Sequence, residues 1–384
     1  MNKENLQQIF SHYLDKFEYI NDTNGHDESY KWFIAKKFRT LMDEALTKKD
    51  DEFASALYKV KQITENLIDS YTQPFSGLVE FAKHEPGTVK QMFIDLYSDD
   101  KGDIHVQEKL ISDFFDKSNE LLEKYSPRSH LYKQDSHSVS AYLFLYNPDS
   151  HYMYKAAQAK IFADCIEFYE DWGTGDNIKL DIYYKMCDWL VEQIFMCPEL
   201  LKTDASRFNL PNSGEMFTDA NKHMLAFDII YACSVYELFD GISFSRPKLR
   251  EKNLIIEQKN KALHLFESYN KALETMKDVD YATKAVEHKL SVGTIIQHKV
   301  YGRGEMVSYN NGIVEILFYN REERKKFLLT AIFANGLASF EDEAVANSIL
   351  PLIPKLKNVE SVKNALKRAE TELEPYKDFL EYSL

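Results

Sequence analysis

Glycine and proline are scarce in this chain. Its 384 residues include 13 Gly and 10 Pro, about half of the ~12 % that the two usually share. Few turns are signalled, so collagen-like and low-complexity classes are excluded and long helices lead. Cysteine is sparse as well. Cys165, Cys187, Cys197 and Cys233 form no CxxC pair, which excludes a disulfide scaffold and argues against structural zinc. Their apolar, helix-like surroundings suit small buried hydrophobes in a reducing compartment. No apolar run approaches the ~20 residues that span a bilayer. The opening MNKENLQQIF lacks the basic start and apolar stretch of a signal peptide. A cytoplasmic protein without membrane attachment is expected.

Catalytic motifs are missing too. There is no GxxxxGK[ST] phosphate loop, no HExxH and no GxSxG. Gly173-Thr-Gly175 lacks the lysine of a phosphate loop, and the 301–304 run is too short for a dinucleotide fingerprint. His130, His137 and His151 follow no metal-ligand spacing, and Asp99, Asp100 and Asp103 lack the spacing of a calcium loop. No cofactor, no metal and no catalytic residue is expected. An enzyme whose site is assembled from distant residues stays open as an alternative.

What is present is an acidic, aromatic chain. Hydrophobic residues make up 44 % and charged residues 28 %, ordinary for a globular protein, which argues against wholesale disorder. At ~150 residues per domain, two or three domains are expected. The net charge of -14 repels nucleic acid, so any such role must sit on a locally basic segment.

Apolar residues recur at helical spacing over most of the length: Leu6, Ile9, Phe10, Tyr13, Leu14 and Phe17; then Ile34, Phe38, Leu41, Met42 and Ala45; then Phe53, Leu57, Val60, Ile63, Leu67 and Ile68. Pro74 and Pro86-Gly87 punctuate this region. Loops are expected at 98–103 and 203–213. Helices are expected at 104–125, through Ile161, Phe162, Cys165 and Phe168, at 182–195 with a stop at Pro198, and at 224–239. Asp135 and Ser136 are candidate helix caps before Val139. The pattern predicts an N-terminal helical region at 1–125, a helical domain at 126–245, a connecting helix at 246–288, a small β-barrel at 289–342 and a helical tail at 343–384.

The texture changes near residue 290. Ile295-Ile296, Glu305-Met-Val307, Ile313-Val-Glu-Ile-Leu-Phe318 and Lys326-Phe-Leu-Leu329 are strand candidates. Asn310-Asn-Gly312 predicts a tight hairpin, because both central residues need positive φ. Between 288 and 340 there are seven basic and four acidic residues, a surplus of three inside a chain of -14, which leaves -17 on the rest. A small positive barrel on an acidic body suits an anionic partner.

The run Gly293-Thr-Ile-Ile-Gln-His298-Lys-Val-Tyr301-Gly302-Arg303-Gly304-Glu-Met-Val307, with Val314-Glu-Ile-Leu-Phe318 and Lys325-Lys-Phe after it, resembles the Tudor-like barrel at the C-terminus of UvrD/PcrA-type helicases. Related barrels occur in CarD-like proteins. Tyr301 stands where Phe is commoner, and Ile296 where Val is commoner. The resemblance implies contact with RNA polymerase or nucleic acid and no activity of the barrel's own. Separately, Asp135-Ser-His137-Ser-Val-Ser140-Ala-Tyr142-Leu, Asn147-Pro148-Asp149, Tyr152-Met-Tyr154-Lys155 and the run from Asp219 through His223 and Asp228 to Tyr231 resemble the helical region upstream of the AAA+ module in McrB-like restriction ATPases. In that family this half targets and the ATPase drives. In this sequence the Tudor-like segment stands where the ATPase would be expected.

These patterns predict a mainly α protein with a small C-terminal SH3/Tudor-like β-barrel and flanking helices. The expected function is non-enzymatic binding of nucleic acid, DNA before RNA, or of a protein of the nucleic-acid machinery, in a bacterial defence or restriction system. A separately encoded ATPase or nuclease subunit is a further expected partner. Candidate binding residues are His298, Lys299, Tyr301, Arg303, Phe318, Arg321, Arg324, Lys325 and Lys326. Tyr142, Tyr146, Tyr152 and Tyr154, with Lys155 and Lys160, are a candidate second surface on which bases could stack, or else core. The alternative to nucleic-acid binding is an adaptor that docks on an RNA polymerase or helicase subunit.

Overall fold

A computed structural model describes residues 1–22, 25–64, 67–99, 103–175, 177–209, 213–356 and 359–381. Residues 100–102 and 210–212 of the two expected loops lie outside the described residues. The chain divides into two compact units, Met1–Asn253 and Leu254–Leu384.

The first unit is helical: α1 (Lys3–Ile20), α2 (Tyr30–Thr47), α3 (Asp50–Ile63), α4 (Pro74–His84), α5 (Pro86–Leu96), α6 (Ile104–Tyr125), α7 (Ser136–Tyr146), α8 (Ala156–Cys165), α9 (Leu180–Phe195), α10 (Pro198–Ser206) and α11 (His223–Val235). The local chemistry of their starts explains several boundaries. Asn2, Asp103 and Asp135 cap α1, α6 and α7, each accepting backbone N–H groups of the first turn. At α7, Ser138 returns the bond to the Asp135 N–H, closing a capping box. Pro74, Pro86 and Pro198 each open a helix, where a missing N–H costs nothing. Pro198 therefore starts α10 rather than merely ending α9, and 203–206, expected as loop, is helix. The helix expected through Phe168 ends at Cys165, and the one expected to reach residue 239 ends at Val235.

Two apolar cores fill this unit. One is built mainly by α2 to α7, the other by α1, α8, α9 and α11. Helix α11 serves both: Met224 and Phe227 face the first, Leu225, Ile229 and Cys233 the second. It is apolar all round because both sides are covered. The first core draws on residues on both sides of residue 125, from Trp32 to Phe227.

Charged groups are buried among these helices. Lys31 and Arg207 are 1 % and 2 % exposed, and Asp204 and Asp228 are sealed completely. Lys31 Nζ lies 2.6 Å from Asp228 Oδ1 and 2.9 Å from Glu28 Oε2. Arg207 reaches Asp228 at 3.2 Å and Asp204 at 3.1 Å, while Lys222 binds the other Asp204 oxygen at 2.8 Å. Tyr13 OH donates to Asp228 Oδ2 at 2.6 Å, and Tyr236 OH donates to Glu28. The Arg207 guanidinium also lies 4.1 Å from the centre of the Trp32 ring. Burial disfavours the Lys31 ammonium, but the Asp228 and Glu28 carboxylates outweigh it and hold its pKa above the ordinary value. Burial likewise opposes the Asp228 carboxylate, and Lys31 and Arg207 outweigh it.

The second unit begins within the long helix α12 (Leu249–Lys289) and continues as β1 (Ile295–His298), β2 (Gly302–Asn310), β3 (Ile313–Phe318), β4 (Glu323–Leu328), α13 (Leu329–Ala334), β5 (Ala338–Phe340), α14 (Glu343–Ile349), α15 (Val359–Leu373) and α16 (Asp378–Glu381). The antiparallel sheet has the order β4-β3-β2-β1-β5. The 310–313 hairpin has positive φ at Asn311 and Gly312, as its sequence requires. An irregularity between Met306 and Ser308 shifts the β2–β3 register, an extra residue that bends β2. Val314, Ile316 and Phe318 point inward from β3, over Ala282 and Val286 of α12. The sheet curls strongly. Strands β1 and β4 are three ladder spacings apart, roughly 14 Å if flat, yet the rings of His298 and Phe327 stack with centres 5.2 Å apart.

Three substitutions test this packing. Asp228→Asn leaves Lys31 and Arg207 short of a buried counter-charge and is expected to lower the unfolding free energy by about 3–5 kcal/mol. Lys37→Gln, at the exposed pair with Glu215, is expected to change it by less than about 1 kcal/mol, both read by urea unfolding. Gly304 has no room for a side chain, because a Cβ there would stand 2.7 Å from the Leu317 carbonyl oxygen. Gly304→Ala is therefore expected to lower the melting temperature of the second unit.

Candidate anion-binding cleft on the β domain

The cleft begins with how β1 ends. His298 turns inward and its Nδ1 accepts the N–H of Val300 at 3.1 Å and, more weakly, that of Tyr301 at 3.4 Å. This fixes a tight connection that leaves Lys299 and Val300 exposed. The Lys299 N–H donates to the Leu337 carbonyl at 2.8 Å, carrying the β1–β5 contact past the last ladder pair. The result is a cleft of about 460 Å³ lined by Gln297, Lys299, Tyr301, Asn320, Arg321 and Ser339, among others.

Tyr301 is half-buried. Its ring packs on His298 and Phe318, with centres 5.1 and 5.2 Å away, and the charged ends of Arg321 and Lys325 each lie 5.7 Å from its centre. Gln297 and Ser339 are cross-strand neighbours on β1 and β5. Amides, a hydroxyl, an aromatic ring and two cations thus meet in one concavity.

The structure divides the expected site residues. His298, Lys299, Tyr301 and Arg321 line the cleft together. Arg324 and Lys326 alternate outward from β4, which the strand order places at the sheet edge. Among the described residues, Lys299, Arg321, Arg324 and Lys326 have no carboxylate partner. Arg303 instead makes two hydrogen bonds with Glu341, at 2.7 and 2.9 Å, and Lys325 pairs with Glu323 at 2.6 Å. These two cations are already neutralised. Phe318 is fully buried under the sheet and offers no stacking face. His298 is also enclosed, and burial lowers its pKa, so it acts as a neutral acceptor within the turn.

The second candidate surface is core. Tyr142, Tyr152 and Tyr154 are buried, with their hydroxyls bonded to Gln134, Asp188 and Trp172. Tyr146 stacks on Tyr97 and donates to Asp43. Lys155 packs against the Tyr231 ring, 4.8 Å from its centre; burial and the nearby Lys31 lower its pKa to about 8. Lys160 is exposed but has no aromatic groove beside it to complete. Burial pushes the thiol of Cys165 up to about 12 and raises those of Cys187 and Cys233, which makes them poor nucleophiles. Among the described residues no group of three His, Cys, Asp or Glu could hold a metal, and no helix is long and apolar enough to cross a membrane.

Gln297, Asn320 and Ser339 were not foreseen. Asn320 lies two residues past the end of β3, and Ser339 lies on a three-residue strand too short to show a period. The folded domain also includes Glu341, Asp342 and Glu343, with Asp342 capping α14. From 288 to 343 seven basic residues now meet seven acidic ones. The positive surplus is thus a local one, held on the cleft and on β4. No protein-family model, curated protein or solved structure matches this chain.

The role given to His298 has a titration signature. Its neutral form is the folded form, so stability is intact above the unfolded value near 6.5 and falls as the pH drops toward the depressed folded value. NMR is expected to show the tautomer with hydrogen on Nε2, a pKa below 6.5, and weakening of the Val300 amide hydrogen bond on acidification.

Proposed function

We propose that this protein is a non-enzymatic recognition component whose β domain holds nucleic acid. The observation that carries this reading is the set of four cations without carboxylate partners among the described residues: Lys299 and Arg321 line the cleft with the ring of Tyr301, and Arg324 and Lys326 lie exposed on the neighbouring edge strand β4. Arginine and lysine attract phosphate, and the ring accepts a base. The buried ions Lys31, Arg207, Asp204 and Asp228 are engaged with one another, and the candidate tyrosines of the body are packed inside, so the body acts as a scaffold. Read with its resemblance to the McrB-like upstream region, it is the targeting half of a defence system whose motor is a separate polypeptide.

A second reading has its own support. The seven basic and seven acidic residues across 288–343 balance, which suits a protein surface of mixed charge as well as a phosphate chain. On that reading the β domain docks on a subunit of the nucleic-acid machinery.

Fluorescence anisotropy with the full chain separates the two. Four phosphate contacts on a single strand predict a log–log salt slope of about -3. The double substitution Arg324→Glu with Lys326→Glu is expected to weaken binding at least about tenfold at low salt. Arg303→Gln, which removes a cation already paired with Glu341, is expected to leave affinity within about threefold. Absence of salt-dependent binding to DNA and RNA at ~50 mM salt would favour the protein partner.

A further inference from the structure

We propose that the cleft takes one unstacked nucleotide, so that the preferred ligand is a single strand or a strand end rather than a continuous duplex. This rests on the nucleic-acid reading above and specifies the form of the ligand.

The geometry carries it in three ways. First, the site is concave. Its lining comes from the end of β1 at residues 297–302, from Asn320 and Arg321 after β3, and from residues 336–339 leading into β5. A stacked duplex presents a convex backbone and keeps its base faces covered, whereas a base out of the stack can enter such a space. At about 460 Å³ the cleft lies in the lower part of the range for small-ligand sites, the scale of one nucleotide.

Second, the groups suit the parts of a nucleotide. The Gln297 and Asn320 amides each offer a donor and an acceptor, the pattern that reads a base edge. Ser339 adds a hydroxyl beside Gln297. Lys299 and Arg321 supply charge for the phosphate, and Tyr301 supplies a ring.

Third, the chain supports the ring from behind. His298 and Phe318 pack against Tyr301, and the turn bonds to His298 hold its backbone. A ring held in this way loses little freedom when a base is added. An apolar peptide fits less well, because the apolar side chains at the rim, Val300 and Leu337, are outnumbered by amide, hydroxyl and cationic groups that it would leave unpaired.

The two arms of the cleft can be tested without touching the core. Ser339 is exposed on β5, so Ser339→Tyr fills the cleft with a residue that strands accept. Gln297→Ala removes one amide. Circular dichroism and thermal melting establish that both variants fold. Anisotropy is then measured for the full chain with a labelled single-stranded DNA 20-mer, the same sequence as RNA, and a blunt duplex, at ~100 mM salt.

The expected result is at least a tenfold preference for one of the single strands over the duplex. Ser339→Tyr is expected to abolish that preference, and Gln297→Ala to reduce it about threefold, with the salt slope little changed in both. The DNA and RNA arms identify which strand is taken. Equal affinity for single strand and duplex, unmoved by Ser339→Tyr but lost with Arg324→Glu and Lys326→Glu, would overturn the cleft while the nucleic-acid reading stands. No binding to any of the three probes would overturn both.

Discussion

The ion network around Asp228 constrains the helical body more tightly than any apolar contact. Lys31, Arg207 and Lys222 face Glu28, Asp204 and Asp228, three charges against three. Taking such groups out of water costs more than their mutual attraction reliably returns, so the network is poor evidence of added stability. Its effect is to exclude alternatives. Apolar helices tolerate small slides against one another, but Asp228 must meet Lys31 from α2, Tyr13 from α1 and Arg207 beyond α10 together. A shift of any one would leave a charge buried without its partner. Because α11 carries Asp228 between the two cores, that requirement locks both cores to one register.

The sequence made some of this legible and hid the rest, for physical reasons. Most helices showed because they bury one stripe, and the stripe repeats with the helical period. The 310–313 hairpin showed because its conformation is one that few residues adopt. The network did not show, since Lys31, Arg207 and Asp228 are far apart along the chain and each looks like an ordinary surface charge until the fold brings them together. Arg207 even sits within the stretch 203–213, whose polarity reads as loop. The tyrosines between 142 and 154 were ambiguous for a different reason. Tyrosine serves equally well as core and as stacking surface, and only the positions of Gln134, Asp188 and Trp172 reveal that the hydroxyls are satisfied inside.

Charge in the β domain shows why counting along a sequence misleads. A count ending at residue 340 is positive, whereas three more residues cancel it. What matters is how the fold distributes the charges. Glu341 is drawn to Arg303 across the sheet, and Glu323 to Lys325 along β4. Asp342 faces the N–H groups that open α14. The acids are largely occupied, and the cations left over lie at the cleft and on β4. The domain can therefore be neutral in total and still present a positive face.

The acidity of the rest of the chain then sharpens this face rather than cancelling it. At physiological salt a charge is felt over ~8 Å, so on the proposed reading distant carboxylates contribute little to a phosphate at the cleft. They act on everything else that a nucleic acid might touch. A chain of -14 offers weak nonspecific adhesion, and a strand that binds must find the few uncompensated cations. As salt is lowered the repulsion reaches further and opposes the attraction of those cations. On the proposed reading the salt slope is the difference between two fields, so the value of about -3 set by four contacts is its steep limit. A uniformly basic protein would gain affinity steeply under the same change; on the proposed reading this chain gains less and confines binding to its few uncompensated cations.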